Sequence, residues 1–392
     1  MNGTHRKRLF WSACAGIFMF GLVLAILGTL FGLPEMRERL GGLSLAQQGD
    51  VFLALFFGVF LATLVAGPSI DSFGNKVVLT LSAALVTAAL ASFAAAESFP
   101  LAALAAFVLG FGGGGLNTST NALVAELYAA ERGAMLNILG VFFGFGALFM
   151  PLVAASVTDR LTIPQLLLIG AALAGATTVV YLALSFPPPS EPAGFSLFAT
   201  LRVARFPGVL LFAMILFFQS GNESSIGGWV STYLGSIGAS PRVATWVLAG
   251  YWAALMFGRL LSAWLLRSMT KASLVLASAI GSTIGVLILL VGSSVTALAA
   301  GAVVAGLSFA AIYPTVLAMA ADRYQRLAGT VFGLLFAVGL IGGMTFPWAL
   351  GHVSERWGLR AGMVLPLFGA IMIALLVGVV TARSKPAVAA GG

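Results

Sequence analysis

The chain has 392 residues, of which 60% are hydrophobic and 8% charged, with a formal net charge of +8. Soluble domains carry about 25% charged residues, so this composition excludes a soluble enzyme or binding module and marks an integral membrane protein. The surplus of Lys and Arg reads as charge on the cytoplasmic side of a lipid bilayer, not as a nucleic-acid-binding surface.

A spanning helix needs about 20 apolar residues. The chain divides into twelve such segments with little left over. The apolar runs are continuous, whereas barrel strands alternate every second residue, so the spans are helices. The N-terminus, MNGTHRKRLFW, resembles a signal n-region. The apolar run behind it is too long for a signal peptide and lacks a small-residue cleavage pattern, so it reads as an uncleaved first helix, about Leu9–Leu33. Cys14 lies in this span, has no cysteine to pair with, and reads as inert packing. Ser44-x-x-Gln47 then predicts a capping box for helix 2. Helix 2 should end in a short polar turn, Gly67 to Lys76. Helices 3 to 6 follow at about Val77–Ala96, Leu101–Tyr128, Gly133–Val157 and Pro164–Phe186. A Pro-rich, charged stretch over 187–208 marks a cytoplasmic linker between an N-terminal bundle (1–186) and a C-terminal bundle (209–392). Helices 7 to 12 fall at about Val209–Leu234, Pro241–Leu266, Ala272–Gly292, Ala297–Ala321, Ala328–Val353 and Ala361–Ala382.

With an even number of spans both termini share one side. That side collects 14 of the 20 basic residues, so the positive-inside rule puts both termini in the cytoplasm of a bacterial-type inner (plasma) membrane. The two halves also repeat. At an offset of 196, Gly110, Gly146, Pro151 and Arg160 match Gly306, Gly342, Pro347 and Arg356, and the acids Glu126 and Asp159 match Asp322 and Glu355. The fold class is therefore all-α integral membrane: two six-helix bundles in parallel repeat, related by a pseudo-two-fold axis, with a site expected near the midplane between them.

Helix 7 carries the most conspicuous chemistry, FFQSGNESSIGGWVSTYL at 217–234. At about 100° per residue, Gln219, Asn222, Glu223, Trp229 and Tyr233 fall within one arc of roughly 120°. Glu223 is the one carboxylate well inside the hydrocarbon zone, where an ionisable group costs several kcal/mol unless it meets protein or water. The arc therefore predicts a wet cavity; the other reading is a carboxylate that locks two helices together. Helix 4 sets Gly110, Gly114, Asn117 and Asn121 on one stripe. Its asparagines suit either a hydroxyl-rich ligand or interhelical hydrogen bonds. Tyr313, beside Pro314, takes the equivalent place in helix 10, to line the cavity or to pack at a kink. Tyr251, Trp252 and Trp348 could add aromatic faces to a sugar site but read rather as packing or an interfacial belt, His352 as interfacial rather than as a proton carrier, and Asn137 as a weaker candidate.

The Gly67–Lys76 turn has glycine, an acid four residues on, glycine, then a base. It resembles the helix 2–3 signature of the major facilitator superfamily. That resemblance implies a cytoplasmic gate built on Gly67, Asp71, Gly74 and Lys76, with Arg259 and Arg267 keeping part of the pattern in the second half, where Ser262 replaces the acid. A finer resemblance covers most of the chain. GFGGGGLNTSTNALVAELYAAERGAMLNILGVFFGFGALFMPL and SGNESSIGGWVSTYL are similar to the fucose–galactose–glucose:proton symporter branch, which includes sodium-dependent glucose carriers. Helix 1 lacks the interior acid of the fucose carriers, helix 4 lacks an arginine, and helix 5 lacks the Gly-Pro motif of drug antiporters.

No basic residue lies deep in a span apart from Arg259 near an inner end, which favours a neutral sugar or polyol over an anion. The expected activity is secondary transport of such a solute by alternating access, as a monomer in the lipid bilayer. Glu223 would be the coupling group, taking H+ itself or binding Na+ with nearby oxygens such as Ser220, Ser224 and Ser225, unless the protein is a passive uniporter in which Glu223 only binds sugar; no cofactor is expected. The alternative is efflux of amphipathic compounds or lipids. An enzyme is not expected: His5 and His352 are far apart, no cysteines have metal-ligand spacing, and GFGGGG sits inside a membrane helix rather than after a soluble strand.

Overall fold

The computed structural model describes residues 3–157, 160–188 and 205–384. The long apolar runs fold as helices: α1 Gly3–Phe31, α3 Leu45–Ala94, α4 Phe99–Leu127, α5 Arg132–Val157, α6 Ile163–Ala183, α7 Pro207–Ser236, α8 Pro241–Leu265, α9 Lys271–Val291, α10 Val295–Arg323, α11 Ala328–Trp357 and α13 Val364–Ser384. Two short helices, α2 Pro34–Arg39 and α12 Leu359–Gly362, sit in connections. Most of the predicted linker, 189–204, lies outside the described residues, as does Asp159.

Among the described residues, 11 helices are long and apolar enough to cross a membrane. One of them, α3, has 50 residues, and straight it would reach about 75 Å, more than twice the hydrocarbon thickness. It is two spans: Gly74 alone leaves helical geometry, at φ 81° and ψ 161°, where the missing Cβ permits a left-handed backbone. Counting α3 twice gives the twelve crossings read from the sequence. The polar stretch after Gly67 is not an open turn as expected. It stays helical through Pro68 and folds back only at Gly74. The start of α3 is as predicted: Ser44 Oγ accepts from Gln47 N (3.2 Å) and Gln47 Oε1 from Ser44 N (3.0 Å).

The repeat has a packing cause. A Cβ built on Gly110 would lie 1.8 Å from Leu55 O on α3, and on Gly306 it would lie 2.6 Å from Tyr251 O on α8. On Gly146 it would lie 1.9 Å from Phe18 O on α1, and on Gly342 it would lie 1.9 Å from Phe217 O on α7. The glycines matched by sequence are the points where helices cross backbone to backbone, as small residues allow in membranes. Each half thus repeats one set of neighbours: α1 on α4 and α5, as α7 on α10 and α11.

The halves meet through α1 with α7, α3 with α11, and α5 with α8. At the end remote from the termini they are sealed. Ser231 Oγ donates to Gly28 O (2.5 Å), Thr232 Oγ1 to Phe31 O (3.2 Å), and the Phe52 ring lies against Trp229 with centroids 5.7 Å apart. Toward the termini the packing thins. The buried residues of α5 run from Leu139 to Ala155, leaving its first turns uncovered, and a Cβ on Gly67 or Gly140 would meet no other atom.

Candidate functional site

A carboxylate in the middle of a spanning helix needs partners. Glu223 is half-buried on α7, below the sealed end. Gln219, one turn earlier and fully buried, donates to Glu223 Oε2 (3.3 Å) and to Phe309 O of α10 (3.2 Å). Tyr251 of α8 donates its hydroxyl to the backbone oxygen of Glu223 (3.1 Å). On the α10–α11 side, the hydroxyls of Tyr313 and Ser220 converge on Gly339, each close to where a Cβ would stand (3.2 and 3.3 Å). The half-buried Tyr313 ring stacks on Phe336, centroids 6.0 Å apart. Arg259 lies farther along α8. Its guanidinium sits over Phe143 of the first half, 5.4 Å from the ring centroid, and is near enough to attract the Glu223 carboxylate. The result is an acid, a carboxamide and polar-tipped aromatics from three helices, with one cation beside them.

Local sequence explains part of this placement. Pro347 has no N–H, so the carbonyl of Gly343, four residues back, loses its helical partner. The single Ser224 hydroxyl hydrogen is shared between Ser220 O (2.7 Å) and Gly221 O (3.1 Å) of its own helix and that carbonyl (3.0 Å), and the last contact ties the Glu223 turn of α7 to α11.

The predicted arc of helix 7 does not face one wet direction, which corrects the sequence reading for three residues. The Asn222 amide bridges one turn of α13, donating to Pro366 O (3.2 Å) and accepting from Ala370 N (3.0 Å). Trp229 Nε1 donates to Pro347 O of α11 (3.1 Å), and Tyr233 Oη to Leu289 O of α9 (3.0 Å). All three side chains are fully buried and spent on backbone groups of other helices. Gln219 and Glu223 remain together as expected.

Asn117 and Asn121 are half-buried on α4 and bonded to each other: Asn121 Nδ2 donates to Asn117 O (2.8 Å) and Oδ1 (3.1 Å). They belong to the first half, apart from the Glu223 group on α7, α8 and α10. The gate residues are spread out. Lys76 Nζ donates to Leu182 O in the last turn of α6 (3.0 Å), a cation at a helix C-terminus. Asp71 is half-buried on the last helical turns before Gly74, and Arg267 is exposed just past α8.

The sequence reading named Ser220 and Ser224 only as oxygens near a sodium ion at Glu223, and it missed Asp50. The proline four residues beyond an unpartnered carbonyl was the signal for Ser224. No group of three or more His, Cys, Asp or Glu side chains that could hold a metal occurs among the described residues.

Comparison with known proteins agrees with this architecture. A family model described as Major Facilitator Superfamily matches residues 13–269 and 212–391. The chain is 24% identical over 349 residues to the glucose/mannose transporter GlcP of Bacillus subtilis, covering 84% of each protein. A shorter match, 27% identical over 191 residues, is to the MFS-type transporter ucsD of Acremonium sp, and it spans only 32% of that protein against 46% of this chain. A crystal structure of a point mutant of the nucleoside transporter NupG superposes with a TM-score of 0.80 at 15% identity, over 97% of this chain and 100% of that one. A point mutant of the E. coli fucose:proton symporter FucP gives 0.64 at 21%, over 96% and 98%. On its sequence and its fold, the chain belongs to the Major Facilitator Superfamily of membrane transporters.

Proposed function

We propose that this transporter moves a neutral, hydroxyl-rich solute of the sugar class by secondary active transport, with Glu223 as the group that couples movement to H+ or Na+. The observation that carries this reading is the Glu223 carboxylate itself. It is half-buried at mid-helix and hydrogen-bonded to Gln219, with the Tyr251 and Tyr313 hydroxyls around it. Carboxamides, hydroxyls and aromatic faces are the groups that recognise hydroxyl-rich ligands. Asn117 and Asn121 would supply the contacts of the first half. Relatives are named for glucose/mannose, fucose and nucleosides, all of them hydroxyl-rich solutes, which supports the class.

Positive-inside counting puts the termini in the cytoplasm. The sealed end then faces outward and the thinly packed end inward, an inward-facing stage of alternating access. Asp71, Gly74 and Lys76, with Arg259 and Arg267, belong to the inner end, which must close in the opposite stage.

The test is uptake of labelled hexoses, deoxyhexoses and nucleosides into proteoliposomes, with proton and sodium gradients imposed separately. Accumulation of a sugar above equilibrium under one gradient is the expected result and names the ion. Movement of amphipathic dyes or lipids instead, with none of the sugars carried, would overturn the reading in favour of efflux.

A further inference from the structure

Two carboxylates from opposite halves work at the sealed end, outside the solute site. Glu355 of α11 accepts from the backbone N–H groups of Leu45 (2.7 Å) and Ala46 (3.4 Å), the unpaired donors at the start of α3. One turn along, Asp50 of α3 accepts from Trp348 Nε1 of α11 (3.0 Å) and faces His352 Nε2 at 3.7 Å. The His352 Nδ1 lies 3.1 Å from Trp348 O, and its ring is 4.7 Å from the Trp348 ring. These contacts all cross between halves that must part when this end opens, except those within the Trp348–His352 turn.

The tautomer follows from the partners. Trp348 O and the Asp50 carboxylate both only accept, but Trp348 O is within hydrogen-bond distance of Nδ1 (3.1 Å) and Asp50 is beyond it (3.7 Å from Nε2), so the neutral ring keeps its hydrogen on Nδ1. Neutral His352 therefore presents the Nε2 lone pair to the Asp50 carboxylate, an arrangement with no attraction in it. A proton on Nε2 converts the same geometry into a charge-assisted pair across the two halves. Among the described residues, the other charges of α11 and α12 at this end, and Arg39 of α2, are engaged elsewhere or turned to solvent. Glu355 is held by Leu45 and Ala46, and Arg356 is exposed to solvent. Arg360 donates to Gly292 O, and Arg39 to Ala94 O and Ala96 O. On α7, which packs against α11, Glu223 is bonded to Gln219 and Tyr233 to Leu289 O.

We propose that Asp50, Trp348 and His352 form a proton-sensitive latch that holds this end of the transporter shut, tighter when His352 is protonated. The latch rests on the transporter fold and not on the identity of the solute. Histidine changes charge between about pH 5 and 8, so acid on this face favours the sealed state. The pair is partly exposed (42% and 37% for the two side chains), which limits the effect to about a two- to fivefold change in the open-to-sealed ratio.

The experiment is pulsed electron–electron distance measurement on full-length protein in lipid nanodiscs. Spin labels go at Glu38→Cys and Arg356→Cys, with Cys14→Ser to remove the native thiol. Both label sites are exposed, at this end, and on opposite halves. The expected result is that the ratio of long to short distances rises about two- to fivefold from pH 5.5 to pH 8 in wild type, stays at the high-pH level in His352→Gln, and stays at the low-pH level in His352→Arg. Asp50→Asn should abolish the response too, and His352→Asn serves if the glutamine variant fails to fold. An unchanged pH response in His352→Gln or Asp50→Asn, or no response in wild type, overturns the latch.

Discussion

Among the contacts that close the sealed end, the α1–α7 crossing is one that a single added atom disturbs. A Cβ at Gly28 of α1 would lie 2.1 Å from Gly227 O and 3.1 Å from Gly227 C and Gly228 Cα. Carbon and oxygen in ordinary contact stand about 3.3 Å apart, and every obstructing atom is backbone, so no side chain can turn away. Gly28→Val therefore forces α1 and α7 apart by about 1 Å and strains the Ser231–Gly28 bond beside it. Overpacking of this kind costs about 1–3 kcal/mol. That cost falls on the sealed state alone, because in the opposite stage of the cycle this crossing opens. The open-to-sealed ratio should then rise by about 5- to 150-fold, enough to invert a modest bias. Spin labels at Glu38→Cys and Arg356→Cys read the change directly. Gly235→Ala, where a Cβ meets nothing, is the matched control and should leave the distribution alone. A folded Gly28→Val protein with wild-type distances would refute the reasoning, since it would mean the crossing is not what closes this end.

Other outcomes follow from the same packing. Ser224→Ala removes the hydroxyl shared with the Gly343 carbonyl beside Pro347 and should lower stability by about 0.5–1.5 kcal/mol, read as a drop in Tm in detergent, whereas Ser156→Ala on an exposed face should not. Asn222→Ala strips the bridge to Pro366 and Ala370 and should cost about 1–3 kcal/mol; preserved stability with loss of solute binding would instead return Asn222 to the cavity. Asp71→Asn should slow the transport cycle more than it weakens solute affinity, checked by comparing maximal rate with half-saturation in proteoliposomes; an unchanged rate at normal expression would remove it from the inner gate.

The course of the chain was legible because each span is a continuous apolar run, and the close crossings at Gly110, Gly146, Gly306 and Gly342 are marked by glycine. Gly110 and Gly306, matched as letters, turned out to be matched contacts. The site was legible only in part. Helical periodicity gave an angular position for Asn222, Glu223, Trp229 and Tyr233, but α7 is surrounded by other helices, so an angle does not say which neighbour lies there. Three of those four polar tips meet α13, α11 and α9 and bond their backbone. The fold at Gly74 was read too early because Pro68 looked like a helix end. Proline removes one hydrogen bond but need not stop a helix whose neighbours hold it, whereas a glycine at positive φ does turn the chain. His352 and Trp348 read as interfacial aromatics because their partner, Asp50, lies 298 residues from Trp348.

The most direct measurement compares wild type with Glu223→Gln in the same proteoliposomes, once a carried sugar has been found. Two rates matter: accumulation driven by an ion gradient, and counterflow of labelled sugar against unlabelled sugar with no gradient. The expected result is that Glu223→Gln loses accumulation and keeps counterflow, since the amide retains size and hydrogen bonds but cannot take a proton or ligate sodium by charge. Full accumulation by Glu223→Gln would contradict the assignment of coupling to the carboxylate on α7.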